Sequence, residues 1–169
     1  MGVTSAGLLL FRISAAGVVE VLLAHPGGPF WVRRDKGAWS VPKGECGAAE
    51  DPLHAARREF AEETGFVAPA GDVLWLGQHR QAGGKRVTVW ALEGDLDATL
   101  ASSNTFQLEW PRGSGTMREF PEVDRVEWMA VSQARSRLIG GQVPFLTSLM
   151  DALADRGRSL REGPPAPTA

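Results

Sequence analysis

Residues 44–66 read GECGAAEDPLHAARREFAEETGF, and this stretch decides how the chain is read. Its punctuation is that of a helix. Asp51 stands as N-cap, Pro52 takes the first helical position, and Gly65 follows the end, where a left-handed residue is favoured. The spacing predicts a helix over 52–64. Leu53, Ala56 and Phe60 fall on one face that can pack on a sheet. Glu59, Glu62 and Glu63 fall on an adjoining face: at 100° per residue, three carboxylates at i, i+3 and i+4 lie within roughly a 100° arc. Like charges four residues apart destabilise a helix by a few tenths of a kcal/mol. A cation among them relieves this, and an oxygen-only cluster suits a hard ion such as Mg²⁺ or Mn²⁺. Arg58, beside Glu59, can hold a carboxylate bidentately. Taken alone, the acids also read as a solvated helix face.

Outward from this helix the chain alternates apolar runs with turn signals. TSAGLLLFR (4–12) and VVEVLLA (18–24) read as strands. A loop rich in Gly, Pro and Arg follows at 25–38, then a short extended piece at Trp39–Pro42. Residues 73–80 and 86–93 read as a hairpin around Gly83-Gly84. Asn104–Trp110 reads as a strand and Pro111–Pro121 as a loop. Arg125–Val131 reads as a strand, Ser132–Leu138 as a short helix and Pro144–Arg156 as an amphipathic helix. A single domain over 1–157 is expected, with a disordered proline-containing tail at 158–169. Strands on both sides of a central helix, with a second helix at the end, indicate a mixed α/β layer fold.

In the stretch 44–66, Gly44, Glu50, Arg58-Glu59, the bulky Phe60, Glu62-Glu63, Gly65 and the bulky Phe66 resemble the Nudix box in every fixed position. Phe60 and Phe66 stand where aliphatic residues are commoner, but both keep the required bulk. The resemblance implies the Nudix fold, a mixed β-sheet sandwiched between α-helices. It also implies metal-dependent hydrolysis of a diphosphate linkage, by water attack at phosphorus, in a small nucleotide. By the same resemblance Glu59 and Glu63, with Glu62, are side-chain ligands of Mg²⁺ or Mn²⁺, and the carbonyl of Gly44 is a further ligand. Arg58 orients a carboxylate and Glu50 braces the loop. Glu62 and Glu63 also count as catalytic. A late-loop glutamate is expected to add a ligand or a base. Glu122 is preferred because it lies just before a strand, with Glu119 nearly as good.

WSVPKGE (39–45) resembles the lead-in of polyphosphate-cleaving members. It places Lys43 beside the metal loop as a phosphate contact, after a basic cluster of Arg33, Arg34 and Lys36. Trp31 and Trp39 are the aromatics nearest the cleft and are candidates to stack on a base. Together with SAGLLLFR and NTFQLEWPRGSGTMREFPEVDRVEWM, the chain resembles a bacterial subgroup of predicted NTP pyrophosphohydrolases, related to dinucleoside polyphosphate hydrolases. Gln81 and Ala82 stand where ADP-ribose-cleaving members often carry a proline. Tyrosine is absent, so an adenine stacked on tyrosine is excluded. A nucleoside or dinucleoside polyphosphate is the first substrate choice. Sanitation of damaged nucleoside triphosphates and a non-catalytic nucleotide-binding module remain open.

Composition narrows the remaining classes. Among 169 residues, 18 bases face 20 acids, for a formal charge of −2. Bulk charge therefore does not hold this chain to nucleic acid. One cysteine, Cys46, excludes an intramolecular disulfide and a cysteine-rich zinc site. No run of 18 apolar residues appears and the start lacks a signal-peptide pattern, so a cytoplasmic setting without membrane partners is expected. Three scattered histidines offer no HExxH, and neither GxxxxGK[ST] nor GxGxxG is present. His25, in a turn beside Pro26, reads as structural or exposed, and His54 as solvent-facing. A monomer or homodimer is expected.

Overall fold

The computed structural model describes residues 3–165 and Pro167. Strand β1 (Thr4–Ile13) is the axis of the molecule. It runs parallel to β5 (Arg86–Glu93) on one side. On its other side, residues 11–13 pair with β2 (Val19–Pro26), and residues 5–7 pair with the short β3 (Lys43–Glu45). β4 (Val73–Arg80) lines the far edge of β5, and β8 (Val123–Ala130) lines β2. The result is a six-stranded mixed sheet in the order β4-β5-β1-β2-β8, with β3 attached to β1.

The apolar run of β1 is buried on both faces, as a central strand between helix layers requires. Ala6, Leu8 and Leu10 meet Ala55, Ala56 and Phe60 of helix α1 (Pro52–Thr64). Leu9 and Phe11 meet the opposite layer. That layer is built from α2 (Val131–Arg137) and α3 (Val143–Asp155) through Ala134, Phe145, Leu146 and Leu149. The expected sheet between helices is what forms. Two alanines on α1 let its backbone approach the sheet closely. Phe60, fully buried, fills the gap beyond them.

The ends of α1 fall where the sequence puts them. The Asp51 carboxylate accepts from the His54 N–H at 2.9 Å, and Gly65, at φ 77°, donates its N–H to the Ala61 carbonyl. The β4–β5 hairpin also turns at Gly83 and Gly84, both at positive φ. Three features differ from expectation. The extended piece expected at Trp39–Pro42 makes only isolated bridges at Trp39 and Ser40, and the strand β3 follows at Lys43–Glu45, paired with β1. The expected loop Pro111–Pro121 contains β7 (Met117–Pro121), which pairs with β6 (Thr105–Glu109) to form a separate two-stranded sheet. The segment from Arg158, expected as disordered, makes defined contacts. Arg161 exchanges backbone hydrogen bonds with Gly17 and Val19, and Glu162 takes two bonds from the Arg135 guanidinium. Proline content alone does not signal these distant partners. The rest of that tail call, at Ala166, Thr168 and Ala169, lies outside the described residues. Among the described residues no helix is long and apolar enough to cross a membrane.

Candidate active site

Helix α1 presents Glu59, Glu62 and Glu63 towards β3, and the two elements interlock. The Lys43 N–H donates to Glu63 Oε2 at 3.2 Å. At Gly44 a Cβ would overlap the Glu59 carboxylate, so only glycine allows the strand and this side chain to approach. Arg58 is the hub. Its Nε and Nη2 grip both oxygens of Glu50 at 3.0 and 3.2 Å. Its Nη1 donates to Glu59 at 2.7 Å and Glu62 at 3.2 Å, and Nη2 also donates to the Glu45 carbonyl. Glu50 in turn accepts from the Gly47 N–H. The Arg58 hydrogen bonds hold the Glu50 carboxyl down at about 2. Arg58 thus links the loop at Glu50 to the acidic face of α1.

The innermost carboxyls behave oppositely. Burial pushes the Glu63 carboxyl up to about 7; the nearby Lys43 ammonium opposes this, and the charges of Glu59 and Glu122 add to it. Burial also raises Glu59, against the pull of Arg58, with Glu62 and Glu122 adding repulsion. Lys43 is lowered by burial despite the attraction of Glu63 and Glu59.

Of the two late-loop glutamates, the fold brings Glu122 to this cluster. Its N–H donates to the Asn104 carbonyl, and its own carbonyl accepts from Gly27. Glu119 sits within β7 opposite Gln107, and its carboxylate is taken by the Thr105 hydroxyl. The loop before β6 also closes the end of α1: Ser102 and Asn104 donate to the carbonyls of Thr64 and Glu62. Beside Glu63 lies a cavity of about 230 Å³, lined also by Ser102, Ser103, Asp124, Arg125 and Glu127. The sequence offered no local signal for these lining residues, because three separated segments meet there.

Arg33, Arg34 and Lys36 are exposed on the loop between β2 and β3. Arg34 lies over the half-buried Trp31 ring, 5.5 Å from its centroid. Trp39 is a correction: it has no exposed surface and cannot stack on a base. Its Nε1 donates to Asp35 at 2.7 Å, its ring meets His25 edge-on, and Arg125 lies across it. The short distance in sequence from Trp39 to the metal loop does not bring the ring to the cleft, because the ring turns inward to the α2–α3 layer.

The donor set fits a hard divalent cation. It consists of oxygens alone, and two of the carboxyls are raised by burial and mutual repulsion, which a cation would offset. As the side chains stand, no three acidic or histidine groups among the described residues converge as a ready metal site. Arg58 is paired with both Glu59 and Glu62.

Comparison with known proteins bears on the family and the fold. Residues 11–149 match the pattern described as the NUDIX domain. Over 102 residues, 60% of this chain, the sequence is 34% identical to an octanoyltransferase of Myxococcus xanthus. Over 55 residues, 30% of this chain, it is 46% identical to an RNA pyrophosphohydrolase of Caulobacter vibrioides. The matches span 25% and 32% of those two proteins. Among solved structures, a C. elegans Ap4A hydrolase binary complex shares the fold at a TM-score of 0.58, with 22% identity, over 90% of this chain and 98% of that one. The NUDIX domain of Shewanella oneidensis NrtR, complexed with ADP ribose, does so at 0.60, with 16% identity, over 90% and 89%. With the family pattern covering most of its length, and the box residues gathered between α1 and β3, the chain belongs to the NUDIX domain family.

Proposed function

We propose that this protein hydrolyses a diphosphate linkage in a nucleoside or dinucleoside polyphosphate. The observation that carries the reading is the interlock of α1 with β3: the Lys43 N–H bonds Glu63, Gly44 leaves room for the Glu59 carboxylate, and Arg58 links Glu50, Glu59 and Glu62. In this reading Glu59, Glu62, Glu63 and the Gly44 carbonyl hold Mg²⁺ or Mn²⁺. The bound ion supplies charge neutralisation and lowers the pKa of a coordinated water. Arg58 and Glu50 keep the carboxylates in place. Lys43, Arg33, Arg34 and Lys36 bind the phosphates, and the guanidinium fork matches two phosphate oxygens. Water attacks phosphorus and the bridging oxygen leaves with the departing phosphate. The released proton goes to a carboxylate, with Glu122 the foremost acceptor and Glu62 and Glu63 beside it. A small polyanion suits a net charge of −2 when basic side chains are grouped in one loop. The reading is completed by a cytoplasmic setting and a monomer or homodimer.

The test is a panel of nucleotides with Mg²⁺ or Mn²⁺, scored by product mass. It includes dinucleoside polyphosphates, nucleoside triphosphates, oxidised nucleoside triphosphates and ADP-ribose. Release of phosphate-containing products from the polyphosphates is expected. Preference for an oxidised triphosphate would replace the substrate assignment with sanitation. Nucleotide binding without turnover would replace the enzyme with a binding module.

A further inference from the structure

His25 closes strand β2, is fully buried, and has no part in the chemistry above. Its Nδ1 lies 2.7 Å from Asp124 Oδ1 and its Nε2 lies 2.5 Å from the Arg34 carbonyl oxygen. Both ring nitrogens are thus engaged, one by a carboxylate oxygen and one by a backbone carbonyl oxygen. One partner belongs to the basic loop. The other lies two residues past Glu122 and lines the cavity shared with Glu63. The same two segments touch directly where the Gly27 N–H meets the Glu122 carbonyl at 2.9 Å.

The loop is fixed from within at the same place. Arg34 N–H bonds the Trp31 carbonyl. Asp35 is held by Trp39 Nε1 and, at 3.5 Å, by Arg137. Trp39 packs against the His25 ring with centroids 5.0 Å apart. The backbone at Arg34 and Asp35 is therefore anchored while the side chains of Arg33, Arg34 and Lys36 stay exposed. An apolar ring would fill this space without the desolvation cost of an imidazole. What the imidazole adds is two directional bonds between two segments of the site.

We propose that His25 is a positioning residue: through Asp124 and the Arg34 carbonyl it sets the placement of the basic loop relative to Glu122, and so the grip on the substrate's phosphates. The inference rests on the proposed polyphosphate hydrolysis. The test variant is His25→Phe, which keeps a ring against Trp39 and removes both ring nitrogens. For a nucleoside triphosphate with Mg²⁺, KM should rise about tenfold while kcat stays within about twofold. In a background where Arg33, Arg34 and Lys36 are all alanine, His25→Phe should change KM by less than about twofold, because the groups it positions are gone. An unchanged KM in the folded variant overturns the inference, as does a KM rise that persists undiminished in the triple-alanine background. If His25→Phe does not fold, His25→Gln, which keeps an amide donor, is measured instead and should show a smaller rise. If neither variant folds, His25 is structural and the inference fails. If the wild-type protein turns over no nucleotide, the functional reading fails, and the same comparison made on the Kd for a nucleoside triphosphate decides the role of His25.

Discussion

The acidic face of α1 and the basic loop between β2 and β3 are both candidate ligand-binding regions, and they are held in opposite ways. The acidic face is held locally. Arg58 reaches Glu59 and Glu62 on its own helix and Glu50 only eight residues back. The basic loop, besides bonds within itself, is held from afar. His25 meets Asp124, 99 residues on, and Asp35 meets Arg137. In the first region the charged groups themselves are fixed and half-buried. In the second the backbone is fixed and the side chains of Arg33, Arg34 and Lys36 stay exposed. Fixed carboxylates suit a small ion with demanding geometry, whereas mobile cations suit a phosphate chain of variable length.

The sharpest break of this contrast is Glu63→Gln, which removes one fixed charge and keeps the shape. It should lower kcat at least about 10³-fold in the polyphosphate assay while circular dichroism stays unchanged. Unchanged turnover would remove Glu63 from the site. Arg58→Lys tests the brace. A lysine cannot grip Glu50 bidentately and still serve Glu59 and Glu62, so a loss of about 10–100-fold in kcat is expected, with a lower melting temperature. Alanine at Arg33, Arg34 and Lys36 together should instead raise KM about tenfold with kcat nearly constant. That rise should shrink as salt is added, since exposed charges are screened. A kcat loss there would mean that the loop acts on the chemistry.

A smaller effect separates the two regions by pH. In metal-free protein with chelator, the Glu63 carboxyl lies above its unfolded value of about 4.5, at about 7. Its folded state then binds the extra proton, so its contribution to stability is full below pH 4.5 and is lost as pH rises through about 7. The loss amounts to at most about 3 kcal/mol, and Glu63→Gln should flatten it in denaturant titrations. Glu50 runs the other way: its carboxyl is held at about 2, so its contribution is present above 4.5 and disappears as pH falls towards 2. The smallest effect is that of Trp39→Phe. It loses the bond to Asp35 and should cost about 1 kcal/mol of stability, with a slight rise in KM. A base-stacking tryptophan would instead tolerate this aromatic replacement.

Much of the fold was legible because its signals are local. Asp51, Pro52 and Gly65 bound α1 within the chain itself, and Gly83-Gly84 announces its hairpin. β3 and β7 escaped the reading because each is a strand only by virtue of its partner. Neither Lys43–Glu45 nor Met117–Pro121 has an apolar alternation of its own. The tail from Arg158 was misread for the same reason, since Gly17, Val19 and Arg135 tie it down from far away.

The sequence by itself determined the acidic helix and its caps, because helical spacing converts a short string of residues into a face. It also determined the family, because the box is contiguous. Tertiary structure alone gives Glu119 and Glu122, three residues apart, different neighbours: Glu119 meets Thr105, while Glu122 lies near Glu59 and Glu63. It alone turned Trp39 inward and brought Asp124 to the wall beside Glu63. These outcomes depend on which distant segments pair, and pairing across about a hundred residues leaves no periodic trace in the chain that makes it.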